Sequence, residues 1–239
     1  MGYNRGKKIM NEMYFPKKNI LVINGNICGE VVSHQTDKGE SKRFTIAHNT
    51  PKDEAIFITV IVLGNAENSV SGKIETDLAK GKNVTVEGRL NKIEAVVKDG
   101  KTYLNTEVVA NKVYATEGVP QNVQNAEVNG RLVADPKTFN GEKGTCTILT
   151  IAHNEGADKP ARYWDVKLFG NSNNSIESRL EGITLAGLKK GALITAYGPM
   201  TRETNEKDGV TYVHDVIIAN KVSGASASEA STADDDMPY

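Results

Sequence analysis

Aromatic residues make up only 6% of this chain, and Trp164 is its one tryptophan. Cysteine occurs twice, as Cys28 and Cys146, each inside an apolar, strand-like run. Two such residues read as small core side chains, which excludes a disulfide framework or a cysteine metal cluster. The four histidines, His34, His48, His153 and His214, have no zinc-ligand spacing. The sequence also lacks a Gly-rich phosphate loop and a nucleophile elbow. No enzyme, metal or cofactor is therefore expected. No apolar run approaches the roughly 20 residues that span a bilayer. The basic N-terminus is followed by no apolar core of a secretory signal. These absences predict a cytoplasmic protein with no membrane partner.

Net charge is also nearly absent, at −1. The charge is unevenly placed, however. Residues 223–239 hold Glu229, Asp234, Asp235 and Asp236 and no Lys or Arg. Setting those four acids aside leaves 29 basic against 26 acidic residues. The body is thus mildly basic, and any binding to phosphates depends on local patches. Residues 223–233 are almost entirely Ser, Ala, Gly and Thr. Such a stretch buries too little apolar surface to offset its ordering entropy and is expected to be a flexible tether. It ends in Asp234, Asp235, Asp236, Met237, Pro238 and Tyr239, an acidic run closed by an apolar and aromatic tip. At the other end, residues 1–19 form a basic extension with Arg5, Lys7, Lys8, Lys17 and Lys18 against Glu12.

What is present is the same domain twice. The tetrapeptide at 46–49 recurs at 151–154, both reading Ile-Ala-His-Asn. Leu63-Gly64-Asn65 is echoed by Phe169-Gly170-Asn171, and Lys80-Gly81 by Lys190-Gly191. Asp99-Gly100 matches Asp208-Gly209, and the Ala-Asn-Lys-Val run at 110–113 returns at 219–222. The pairs are collinear, at offsets between 105 and 110 residues, which is far too long for a solenoid unit.

Each copy reads as strands with one helix. In the first copy, strands are expected at residues 20–32, 43–47, 55–63, 83–95 and 101–113, the last two joined by an Asp-Gly hairpin turn. Val70, Ile74 and Leu78 repeat at i, i+4, i+8, which predicts a helix within 65–80. The second copy repeats this at 127–134, 145–152, 162–169, 192–200 and 211–222, with a helix within 173–190. Five strands with a helix between the third and fourth is the order of an OB-fold barrel. The expected fold is therefore all-β, with two tandem five-stranded barrels at 20–116 and 126–222. A linker at 117–125 joins them, and a flexible tail follows from 223 to 239.

The second copy carries Asn129-Gly130-Arg131-Leu132, Asp135-Pro136, the run Trp164-Asp165-Val166-Lys167-Leu168-Phe169-Gly170, and Leu188-Lys189-Lys190-Gly191. The first carries Val86-Glu87-Gly88-Arg89-Leu90 and Thr106-Glu107-Val108-Val109. In this order, and with the acidic tip, the chain resembles the bacterial single-stranded DNA-binding protein family in its less common tandem form.

That resemblance implies sequence-independent binding of single-stranded DNA, protecting exposed strands in replication, recombination and repair. An OB barrel holds an unpaired strand with a basic groove and with rings on which bases stack. Alternation along residues 162–169 puts Trp164, Val166 and Leu168 in the core and Tyr163, Asp165, Lys167 and Phe169 on the other face. Tyr163 and Phe169 are expected to stack and Lys167 to meet a phosphate. The first copy has Phe57 at the position of Tyr163, but Leu63 where Phe169 stands. Ala95 and Thr204 occupy positions where the family often has another aromatic. Further phosphate-contact candidates are Arg43, Arg89, Lys92, Arg131, Arg162, Lys190 and Arg202. The tip from Asp234 to Tyr239 is expected to recruit other proteins of DNA metabolism, and family usage implies a homodimer presenting four OB folds. The alternatives are a tandem-OB protein-interaction scaffold without DNA binding, and an RNA-binding OB protein.

Overall fold

The computed structural model describes residues 19–37, 39–50, 55–65, 68–93, 95–117, 122–154 and 160–225. The basic extension through Lys18 and the tip from Asp234 to Tyr239 lie outside the described residues, as does the middle of the expected linker. Alternating apolar residues of high β propensity build the first copy's strands: β1 (Asn19–Ile27), β2 (Val32–Thr36), β3 (Gly39–Asn49), β4 (Ala55–Leu63), β5 (Asn83–Lys92), β6 (Val96–Lys98), β7 (Lys101–Leu104) and β8 (Thr106–Ala115). The second copy contributes β9 (Gln124–Leu132), β10 (Lys137–Gly141), β11 (Gly144–His153), β12 (Arg162–Gly170), β13 (Leu180–Glu181), β14 (Leu193–Gly198), β15 (Met200–Lys207), β16 (Val210–Ile218) and β17 (Lys221–Ala225).

The first copy closes as β1-β3-β4-β8-β5 and back to β1, all antiparallel except the β4–β8 pair. In the second copy the ring runs β9-β11-β12, then β16 and β17, then β14 and back to β9, and the β12–β16 pair is again the parallel one. Two all-β OB barrels in tandem are the result. Closure brings β1 against β3, and β9 against β11, too closely for a side chain at Gly25 or Gly130. A Cβ at either would strike the carbonyl oxygen of Ala47 or Ala152, the same collision in both copies. Alternation fills each interior. Ile56, Ile58, Val60 and Val62 point inward from β4, and Trp164, Val166 and Leu168 from β12. Each such side chain stabilises the fold by roughly 1.5–3 kcal/mol relative to exposure. Asp99-Gly100 and Asp208-Gly209 take positive φ at both residues, as the two-residue hairpin turn requires.

The expected helix forms in the first copy as a single short turn, and in the second copy 3₁₀ turns take its place. In the first copy, helix α1 spans only Val70–Lys73, capped by the Ser69 hydroxyl accepting from the Gly72 amide. Beyond it, Ile74 bridges Val113 and the Glu75 amide donates to the Val113 carbonyl at 2.8 Å. The chain thus leaves the helix to run along β8. Val70 is buried, and Ile74 and Leu78 pack against the core, so their spacing marks one buried face without a continuous helix. The second copy has 3₁₀ turns at Glu177–Arg179 and Leu185–Gly187 instead. Between them β13 pairs with β17, and Gly182 at φ 70° turns the chain. The last strand extends through Ala225, into the stretch expected to be tail.

The two barrels share backbone hydrogen bonding. β1 pairs antiparallel with β9, from Asn19 opposite Val128 to Ile23 opposite Gln124. β7 pairs parallel with β16, from Lys101 beside Thr211 to Leu104 beside His214. Neither pairing is legible in the sequence, because both join edges belonging to different copies.

Candidate nucleic-acid interface

The outer faces of β4 and β12 present rings to solvent. Phe57 is 51% exposed, Tyr163 53% and Phe169 46%, whereas Trp164 is fully buried in the second barrel. Leu63, in the first copy's counterpart of the Phe169 position, is 45% exposed. Strand register explains this sorting. Ala47 lies opposite Phe57 and Ala152 opposite Tyr163, so each ring stands beside a small residue on the same outward face. Phe139, on β10, is 56% exposed and was not singled out from the sequence. Its hairpin begins right after Asp135-Pro136, and the alternation of Lys137, Phe139 and Gly141 is too short to announce a strand.

The cations divide into two groups. On the outer faces, Arg43 lies 4.0 Å from Glu107, and Lys167 makes a 2.6 Å bond to Glu203. Arg43 sits opposite Ile61 on β4, whereas Lys167 of β12 sits opposite Ile148. The two copies thus place a cation and an isoleucine in one cross-strand row, with the strands exchanged. Arg131 donates to the Gly191 carbonyl at 3.0 Å. Arg89 is half-buried on β5, and Lys190 is exposed, with its amide held by Asp135 at 2.8 Å. Thr150 donates to Asp165 at 2.9 Å, and His214 lies 3.8 Å from the same carboxylate.

The second group, Lys92, Arg162 and Arg202, lies at the junction between the barrels. Lys92 from the first barrel places its ammonium 4.8 Å from the centre of the Trp164 ring in the second. Arg162 donates to the Lys92 carbonyl at 2.8 Å. Burial pushes the Lys92 ammonium below its ordinary pKa, while Asp165 and Asp215 pull it back up. Arg202 bonds Asp215 through Nε at 3.0 Å and reaches the Phe57 carbonyl through Nη2 at 3.4 Å. Asp215 is buried and also accepts from the Thr106 amide at 3.2 Å. These side chains tie one barrel to the other, a use that no strand pattern could show.

The repeated histidines are structural. His48 Nδ1 lies 2.7 Å from the Asn24 carbonyl, and His153 Nδ1 lies 2.6 Å from that of Asn129, so each ring nitrogen donates. Both rings are buried in separate barrels, and burial pushes the His48 pKa down. Cys28 and Cys146 are both free thiols, and Cys28 is exposed instead of buried as expected. It follows β1 directly and donates from Sγ to the Thr45 carbonyl at 3.4 Å. Burial raises the Cys146 thiol pKa. Among the described residues there is no cluster of His, Cys, Asp and Glu able to hold a metal. No helix among them is long and apolar enough to cross a membrane.

No curated protein matches the chain. Among solved structures, the single-stranded DNA binding protein from Thermus aquaticus is similar at 19% identity with a TM-score of 0.56. That alignment covers 85% of this chain and 91% of that one. A deletion mutant of the same protein aligns at 18% identity and the same TM-score, over 85% of this chain and 92% of that one. At these identities the likeness shows a shared fold. Residues 18–116 match the model of the single-strand binding protein family. That segment is the first barrel with its outward ring at Phe57 and its shared first strand, so this part of the chain is similar to the single-strand binding protein family.

Proposed function

We propose that the chain coats single-stranded DNA without sequence preference, through the outer faces of β3–β4 and β11–β12. The observation that carries this reading is the pair of half-exposed rings, Phe57 and Tyr163, at the same position of both barrels, the first of them inside the family-matched segment. Phe57, Tyr163 and Phe169 stack bases. Arg43, Arg89, Arg131, Lys167 and Lys190 meet phosphates, with Lys167 exchanging Glu203 for the backbone. Lys92, Arg162 and Arg202 are positioning residues that set one binding face against the other. The protein is not an enzyme in this reading. It works in replication, recombination and repair as a homodimer of four barrels. The segment beyond Ala225 carries the tip from Asp234 to Tyr239, whose ring and carboxylates dock in a basic-rimmed apolar pocket on partner proteins.

The test is fluorescence anisotropy of a labelled oligo-dT of about 35 nucleotides, long enough for two barrels at up to about 16 nucleotides each. Binding is expected to resist competition by duplex of equal length, and its salt slope counts the phosphate contacts. Tyr163→Ala is expected to weaken affinity by about 1–3 kcal/mol, the contribution of one stacked base, with unchanged melting temperature. Absence of binding would favour the protein-interaction scaffold, and equal competition by RNA the RNA-binding alternative. Removing residues 234–239 should leave oligo-dT affinity intact or slightly raised while abolishing capture of partner proteins. A deletion that destroyed DNA binding would sink this division of labour.

A further inference from the structure

The β10–β11 hairpin brings a second ring beside Phe169. Phe139 of β10 lies opposite Cys146 of β11, and Cys146 lies opposite Phe169 of β12. Directly opposed residues in an antiparallel sheet share a face. The row therefore reads ring, small thiol, ring, and both rings are about half exposed. Strands two apart are separated by about 10 Å. Rings rising from those two strands over a small central residue leave a gap wider than one base is thick, which the two side chains close onto a base by leaning inward. The next row on the same face is Lys137, Ile148 and Lys167, so two cations stand beside the gap. In the first barrel the equivalent row is His34, Ser41 and Leu63, which has neither phenyl ring.

We propose that Phe139 and Phe169 form a two-ring clamp over Cys146 that takes one unpaired base of a bound strand. Lys137 meets the phosphate beside it, and the track of the second barrel continues from Tyr163 past Phe169 onto the hairpin. The inference rests on the single-strand binding reading above and adds a base-binding position that only the second barrel possesses. An unpaired base fits this row better than a protein side chain does. The rings are flanked by cations, and the opening lies at the end of a line that already holds Tyr163 and Phe169.

The test uses the full chain and oligo-dT. Phe139→Ala is expected to weaken binding roughly tenfold, the scale of one stacked base, while Phe139→Tyr keeps the affinity. His34→Ala, at the equivalent position of the first barrel, is expected to leave affinity unchanged. An independent readout is alkylation at mildly alkaline pH, followed by peptide mass mapping to separate Cys146 from Cys28. Bound oligo-dT is expected to slow alkylation of Cys146 at least severalfold, and to slow it far less in the Phe139→Ala chain. If the unaltered chain binds oligo-dT while Phe139→Ala binds equally and Cys146 reacts at the same rate with and without DNA, the clamp is overturned and the general reading stands. If the unaltered chain does not bind oligo-dT, the general reading falls first and the clamp with it.

Discussion

Replacing Trp164 with alanine is expected to destabilise the protein by about 3–5 kcal/mol, the usual cost of emptying a buried large aromatic site. The ring is fully buried in the second barrel. It also seats the Lys92 ammonium of the first barrel at 4.8 Å. Its loss therefore opens a cavity and unseats a partly desolvated cation at once. For a chain of this size each kcal/mol moves the melting temperature by about 2–4 °C, so a drop on the order of 10 °C is expected by calorimetry. Trp164→Phe should cost far less. The buried indole Nε1 has no hydrogen-bond partner, so a phenyl ring gives up only volume. Tyr163→Ala, one residue away, should do the reverse and lower DNA affinity without lowering stability. If Trp164→Ala melted with the unaltered protein, the core assignment of this ring would be wrong.

The second large effect is expected from Asp215→Ala. This buried carboxylate accepts from Arg202 at 3.0 Å and 3.4 Å and from the Thr106 amide at 3.2 Å. Arg202 in turn reaches the Phe57 carbonyl on β4. One carboxylate thus holds both a direct and an indirect tie between the barrels. Breaking a buried ion pair by removing one partner costs about 3–5 kcal/mol, because the remaining charge is left uncompensated. The Arg202 side chain is 26% exposed and recovers part of that from water, so about 2–4 kcal/mol is expected. The thermal transition should move down by roughly 4–16 °C. Asp215→Asn, which keeps one acceptor oxygen, should fall between the two. A transition within a degree of the unaltered protein would remove Asp215 as the tie and leave the β1–β9 and β7–β16 pairings and the Lys92–Arg162 contacts to hold the barrels.

Much of the fold was legible from order and alternation. The collinear repeat, the alternating faces of residues 55–63 and 162–169, and the Asp-Gly turns each have a local physical cause, and the structure carries all of them. The helices are shorter than the spacing predicts, for a physical reason as well. Val70, Ile74 and Leu78 do face the core, but a spacing of four residues describes burial. It does not describe hydrogen bonding, and here the backbone bonds of Ile74 and Glu75 go to β8. Phe139 escaped notice because β10 is only five residues long, and its outward face becomes visible only when Cys146 and Phe169 are set beside it.

The rings at Phe57, Tyr163 and Phe169 follow from the period of a strand, because alternation alone sends every second side chain outward. The fate of the cations does not. Arg43, Lys167 and Arg202 read alike as charges near a binding face, yet they pair with Glu107, Glu203 and Asp215. Glu107 and Glu203 are brought close to Arg43 and Lys167 only by barrel closure, whereas Asp215 faces Arg202 across the β15–β16 hairpin. Lys92 and Arg162 read as surface charges too, and become junction residues only because the two barrels meet there. By itself, then, the sequence determined the duplication, the alternating faces and the turns, since these depend on neighbours along the chain. Which charges stay available to a ligand, and how one barrel sits on the other, was decided by the tertiary structure, because pairing and desolvation depend on neighbours in space.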